Sequence, residues 1–146
     1  MTVPGALHRP SGTPPARRAA ARVAVALARL LARLPPGYIR LVLGILSAGA
    51  RPATYEQARA ARDAVTSVSL TCLGPRGCLP RSVATALLCR LGGAWPTWCA
   101  GVRTLPPFGA HAWVEAEDRI VEENVPGGYL APLIIVAPRG AKRRAG

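Results

Sequence analysis

Aromatic bulk, lysine and, over the first 55 residues, acidic side chains of any kind are what this chain does without. Phe, Tyr and Trp make up only 5% of it although half of its residues are apolar, so a core must be assembled largely from Ala, Val and Leu and will be lean. No apolar run approaches the roughly 20 residues a spanning helix needs. The run Leu41 to Ala50 is closed by Arg40 and Arg51, and Arg22, Arg29 and Arg33 break the stretch before it. Arg17-Arg18 has the form of a twin-arginine signal, but the region after it is too interrupted by charge to act as one, and a cytoplasmic protein is expected. Gly and Pro, 15 of each, follow no three-residue period, which excludes a collagen-like rod and leaves a globular chain. With 146 residues there is room for one compact domain and short appendages.

The formal charge of +12 comes from arginine, Lys142 being the single lysine. Such a balance attracts nucleic acid or anionic membranes in general. Here five of the seven acids (Glu115, Glu117, Asp118, Glu122 and Glu123) crowd into nine positions, and the few aromatics do not alternate with basic residues as a stacking platform would. Nucleic acid is therefore not expected as a partner.

Along the chain, Pro4, Pro10, Pro14 and Pro15 with Gly5 and Gly12 mark residues 1–16 as a flexible tail. From Arg17 to Leu34 the period is helical: Arg18, Arg22, Arg29 and Arg33 share one side, and Val23, Leu27, Leu30, Leu31 and Leu34 lie roughly opposite, as a core-facing stripe. The arginine side is a solvated face, a docking surface for an acidic partner, or a contact with an anionic membrane surface. Pro35-Pro36-Gly37 stops this helix, and Tyr38 to Ser47 resumes as a short apolar helix or strand, closing an N-terminal helical region over 17–53. A core domain over 54–138 follows, then a basic C-terminal tail over 139–146. In the core, Tyr55, Ala58, Ala61 and Val65 predict a helix from Thr54 to about Ser67, and Gly74-Pro75-Arg76-Gly77 predicts a loop. Cys78 opens a third helix, with Pro80 in its first turn and Gly92-Gly93 ending it. Trp95–Thr104, Ala110–Ala116, Arg119–Asn124 and Leu133–Ala137 read as strands. Helices first and antiparallel strands after predict an α+β fold.

Four cysteines, Cys72, Cys78, Cys89 and Cys99, match no zinc spacing. Cys89 lies eleven residues along the same predicted helix from Cys78, about 16 Å away, too far to share a metal, and among Leu87, Leu88 and Leu91 it reads as a small core residue. Cys78 differs. A thiol at a helix N-terminus meets unpaired backbone N–H groups and the positive end of the helix dipole, which favour the thiolate, and Arg76 and Arg81 add positive charge. Apart from His8 in the tail, the chain's histidine is His111, at the start of a predicted strand in acid-rich surroundings that favour the imidazolium. A buried structural cysteine and a hydrogen-bonded structural histidine are the alternatives to a thiolate–imidazole pair.

Gly77-Cys78-Leu79-Pro80-Arg81-Ser82, followed 33 residues later by His111-Ala112-Trp113-Val114-Glu115 within a Phe108-Gly109-Ala110 lead-in, resembles the B-type leader peptidases of lasso peptide biosynthesis, which are transglutaminase-like cysteine peptidases. The resemblance spans about Thr54 to Val136. It implies a transglutaminase/papain-like α+β fold and a stand-alone peptidase half of a split B protein. The implied reaction needs no cofactor and no metal: Cys78 attacks one peptide bond of a ribosomally made precursor, and His111 protonates the departing amine and then activates water on the thioester. The Cys78 backbone N–H is the expected oxyanion donor, with Arg81 and Trp113 as positioning residues. The implied partners are the precursor's leader, a small leader-recognition protein and an ATP-dependent macrolactam synthetase. The competing readings are an acyltransferase that passes the thioester to an amine and a non-enzymatic basic scaffold.

The family's third catalytic residue is an Asp about twelve positions after the His, where this chain has Glu123. Asp118, about 23 Å along a strand from His111, is too remote. A two-residue turn at Glu117-Asp118 would pair Ala116 with Arg119 and His111 with Asn124, whereas a three-residue loop would pair Glu115 with Arg119 and His111 with Glu123 and turn Glu122 to the other face. Opposite charges across the strands favour the second register, and with it Glu123.

Overall fold

The computed structural model describes residues 14–69, 77–106, 108–121 and 128–138. Helix α1 (Pro15–Leu31) begins two residues earlier than its pattern predicts, because Pro15 stands at the first helical position, where a missing N–H costs nothing. Helix α2 (Pro36–Ser47) settles the helix-or-strand ambiguity in favour of the helix and again starts on a proline. Strand β1 (Arg51–Pro52) leads into α3 (Tyr55–Val68), whose Thr54 side chain accepts from Gln57 N while Gln57 Oε1 accepts from Thr54 N. These reciprocal bonds satisfy two donors at the helix start and fix its entry. Helix α4 (Cys78–Leu91) carries the sequence's Pro80 in its first turn and ends at Gly92-Gly93, as expected.

The remaining elements are β2 (Ala94–Trp95), β3 (Thr97–Arg103), β4 (Ala110–Ala116), β5 (Arg119–Ile120) and β6 (Leu130–Val136). One predicted strand over 95–104 is thus divided at Pro96, and β1, too short to announce itself, pairs in parallel with β2. The main sheet is antiparallel in the order β5-β4-β3-β6. Helices packed beside a small antiparallel sheet make the fold α+β.

The core joins α1, α3 and α4 through alanine: Ala21, Ala24 and Ala28 of α1, Ala58, Ala61 and Ala64 of α3, and Ala84 and Ala86 of α4 are all buried. This overturns the expected facing of α1. Small side chains let helix backbones approach closely, so α1 buries its alanines with Val25, while Val23, Leu27 and Leu30 are about half to three-fifths exposed. Arg18 also leaves the solvated face: it is half-buried, and among the described residues its Nε has no hydrogen-bond partner. On α2, Ile39 and Leu43 point inward and Tyr38, Leu41 and Ile45 outward.

Two tryptophans tie the layers together. Trp98 on β3 donates Nε1–H to Ser82 Oγ on α4 at 3.0 Å, and Trp95 donates to the Val136 carbonyl on β6 at 3.0 Å. Between Ala100 and Gly101 the β3–β6 register shifts, with Ala100 opposite Ile134 and Gly101 opposite Pro132. A Cβ at Gly101 would collide with the Ala131 carbonyl group, so glycine is what permits this close approach.

The β4–β5 connection is the two-residue turn, which corrects the favoured three-residue register. Ala116 pairs with Arg119 and Glu115 with Ile120, and Val121 N donates to the Val114 carbonyl at 3.0 Å. Glu117 (φ 54°) and Asp118 (φ 62°) both adopt the left-handed conformation. Such a turn matches the twist of the strands it joins. The strained Glu117 is held from outside: its Oε2 accepts from Tyr55 N at 2.6 Å, at the positive end of α3, and the Arg119 guanidinium lies 3.9 Å over the Tyr55 ring. Arg119 therefore finds an aromatic face on α3 where charge pairing with Glu115 was expected.

Candidate active site

Cys78 is the first residue of α4, with Gly77 as N-cap, no side chain capping the helix and no acid in its first turn. Pro80 has no N–H to offer, so the uncapped donors and the helix dipole act around the Cys78 end. The helix is held on the sheet by the Trp98–Ser82 bond one turn further on, and Ser82 in turn donates to the Leu79 carbonyl at 3.0 Å.

His111 enters from β4, opposite Gly101. Its side chain hydrogen-bonds to Cys78, and the backbone N–H of the next residue, Ala112, donates to the same sulfur. Partial burial alone would raise the Cys78 pKa. The His111 hydrogen bond, the Ala112 N–H and the positive charges of His111 and Arg81 outweigh it, and the thiol lies below its ordinary value. The two residues singled out in the sequence, one on a helix and one on a strand, thus meet, with Arg81 contributing charge.

The other cysteines are driven the opposite way. Burial pushes Cys89 up to about 12, and Cys99 is raised further by burial and by the neighbouring Glu115 carboxylate. Cys89 is the core residue expected of it. Cys72 lies outside the described residues.

Trp113, two residues along β4 from His111, stacks on the imidazole with ring centroids 6.0 Å apart and planes 18° from parallel. It is buried, and its Nε1–H donates to Glu115 Oε2 at 2.8 Å; Cys99 Sγ donates to the same oxygen at 3.6 Å. A carboxylate, an indole and an imidazole therefore alternate along β4, each supporting the next. Glu115, expected in the sequence as a cross-strand partner of Arg119, instead holds the tryptophan that packs against the histidine. The spacing 111, 113, 115 is the signal that could have found this role, since alternate strand residues share a face.

The described acids do not surround His111 as expected, for Glu115 faces Trp113 and Cys99, and Glu117 faces α3. Near the ring is a cation instead: Arg103 Nη2 lies 3.4 Å from Nδ1. A guanidinium only donates, so this contact is a hydrogen bond when Nδ1 carries no proton and a like-charge approach when the ring is the imidazolium. Asp118 sits in the turn at the far end of β4 from His111. Glu122, Glu123 and Asn124 lie outside the described residues. The register that singled out Glu123 does not hold over residues 115–121. Among the described residues, no three His, Cys, Asp or Glu side chains gather as a metal site requires. None of the described helices is long and apolar enough to cross a membrane.

A thiol of lowered pKa at a helix N-terminus, bonded to an imidazole carried by a neighbouring antiparallel strand, is the apparatus of cysteine acyl transfer. The family model of the transglutaminase-like superfamily matches residues 8–134, and the chain belongs to that superfamily. Its members are generally cysteine peptidases or acyltransferases. Comparison with curated proteins and with solved structures gives no match.

Proposed function

We propose that the protein is a cysteine peptidase that removes the leader from a ribosomally made lasso precursor. The observation that carries this reading is the hydrogen-bonded Cys78–His111 pair at the head of α4 in a transglutaminase-like chain, within sequence motifs similar to those of the B-type leader peptidases. The Cys78 thiolate attacks the scissile carbonyl, and the C–N bond breaks as His111 delivers a proton to the amine. Water, deprotonated by His111, then cleaves the C–S bond, releasing the leader acid and restoring the thiol. The Cys78 backbone N–H faces the developing oxyanion from the uncapped helix start. Glu123, which stands where the leader peptidases carry their Asp, is the proposed orienting carboxylate on that resemblance alone, with Glu122 and Asn124 as the residues to test against it. Trp113 walls and steadies the imidazole.

The partners are a leader-binding protein and the macrolactam synthetase that receives the freed amine, in the cytoplasm. Their docking surface is α1 with α2, where Val23, Leu27, Leu30, Tyr38, Leu41 and Ile45 stand exposed among Arg22, Arg29, Arg33 and Arg40. Neutralising Arg22, Arg29 and Arg33 weakens complex formation on this reading; unchanged assembly would remove the surface from the account.

The test of the activity is mass spectrometry of a lasso precursor incubated with the protein and its leader-binding partner. Leader acid and free core peptide are expected, and both disappear in Cys78→Ala. A product joined to an added amine would instead assign the protein to the acyltransferases, and no product with either acceptor would leave a basic scaffold.

A further inference from the structure

Beside the Cys78–His111 pair lies a cavity of about 210 Å³ that the chemistry does not use. Its walls come from three places. Pro36 and Ile39 belong to α2, Leu79 to the first turn of α4, and Trp98, Ala100, Ala112 and Ile134 to the sheet. Cys78 and His111 are among its lining residues.

Apart from the two ionisable groups it adjoins, the side chains around the cavity are almost wholly apolar. Among the described residues, its one other lining side chain with a polar atom is Trp98, and that N–H is committed to Ser82 Oγ at 3.0 Å. A charged or amide side chain placed here would lose water and find, among the described side chains, no partner but the reacting pair, a cost that disfavours it. A branched aliphatic or aromatic side chain loses nothing. The space equals that of about seven waters at roughly 30 Å³ each, enough for such a group.

We propose that this cavity is the specificity pocket of the enzyme, binding an apolar side chain within two residues of the scissile carbonyl on its acyl side. The inference rests on the acyl-enzyme reading above and adds the substrate class to it. The acyl side is indicated because that part of the substrate stays bonded to Cys78 while the amine leaves and water enters, so a pocket bordering the sulfur holds it through both steps. Helix α2 acquires a role in this assignment: Pro36 and Ile39 line the cavity, which links the N-terminal region to substrate choice.

The probes are two series of peptide aldehydes, Ac-Gly-Gly-X-Gly-H and Ac-Gly-Gly-Gly-X-H, with X as Gly, Ala, Leu, Phe, Asp or Lys. The thiol adds across the aldehyde to give a hemithioacetal, and occupancy is read as protection of Cys78 from iodoacetamide, followed by peptide mass spectrometry. In at least one series Leu or Phe protects at concentrations about 10- to 100-fold below those needed for Gly, Asp or Lys. Ala100→Leu, which fills the cavity, lowers the Phe-to-Ala ratio, and Ile134→Ala, which widens it, raises that ratio; circular dichroism checks the fold of each. Equal protection across both series while Cys78 is still alkylated selectively, or a ratio that neither variant moves, overturns the pocket alone. Absence of selective alkylation of Cys78 over Cys89 and Cys99 overturns the acyl-enzyme reading and the pocket with it.

Discussion

Removing the Glu115 carboxylate tests the strand-borne support behind His111. In Glu115→Ala the buried Trp113 loses the acceptor of its 2.8 Å hydrogen bond, and the Cys99 thiol loses the oxygen it meets at 3.6 Å. A buried donor left without an acceptor costs about 1–3 kcal/mol. For a chain of this length that corresponds to a melting temperature lower by roughly 3–12 °C, at about 3–4 °C per kcal/mol. Glu115→Gln keeps an oxygen for the indole and recovers most of the loss. The two variants also separate charge from hydrogen bonding at Cys99. Its pKa is raised first by burial and then by the Glu115 charge, so both substitutions lower it while burial keeps it above the ordinary value. The assay is thermal unfolding by circular dichroism, with cysteine alkylation followed in parallel. Because Trp113 stacks on His111, Glu115→Ala also slows Cys78 alkylation relative to Glu115→Gln. A Glu115→Ala protein that melts with the wild type, or no higher-melting Glu115→Gln, would refute the support assigned to this carboxylate.

Two further outcomes follow from the same geometry. In the native protein iodoacetamide modifies Cys78 well before Cys89 and Cys99: a Cys89 thiol raised from 9.0 to about 12 holds about a thousandfold less thiolate than an ordinary one at neutral pH, before its burial is counted. Comparable rates at Cys78 and Cys89 would contradict that ordering. Gly101→Ala puts a methyl group against the Ala131 carbonyl and 2.8 Å from Pro132 Cα, backbone that has nowhere to swing, so it destabilises the protein by about 1–3 kcal/mol and loosens β6. Denaturant unfolding with an unchanged midpoint would show that the bulge relaxes freely.

What the sequence made legible was local. Pro80 and Gly92-Gly93 bracket α4, the alternation of Ala110 to Ala116 marks β4, and together they delivered the ends on which Cys78 and His111 sit. Features that depend on a distant partner were less readable. The facing of α1 was misjudged because a hydrophobic stripe of leucines outweighs alanine in any periodicity, whereas close helix contact selects the alanines. The β4–β5 register was misjudged because Glu117 does not announce a left-handed conformation; the bond to Tyr55 N, 62 residues away in sequence, sustains it. Gly101 and Arg103 carried no local sign of their parts, since a close approach to β6 and a contact with Nδ1 are matters of tertiary placement. Glu115 was partly legible through its spacing.

The pH dependence of Cys78 alkylation, compared between the wild type and His111→Ala, bears most directly on the thiolate–imidazole pair. Reactivity follows the thiolate, so in the wild type the rate rises through a midpoint below that of an ordinary thiol. Without the imidazole, the upward push of burial is opposed only by the Ala112 N–H and Arg81 among the identified contributions, and the midpoint moves to higher pH. Coincident profiles for the two proteins would mean that His111 does not govern the sulfur.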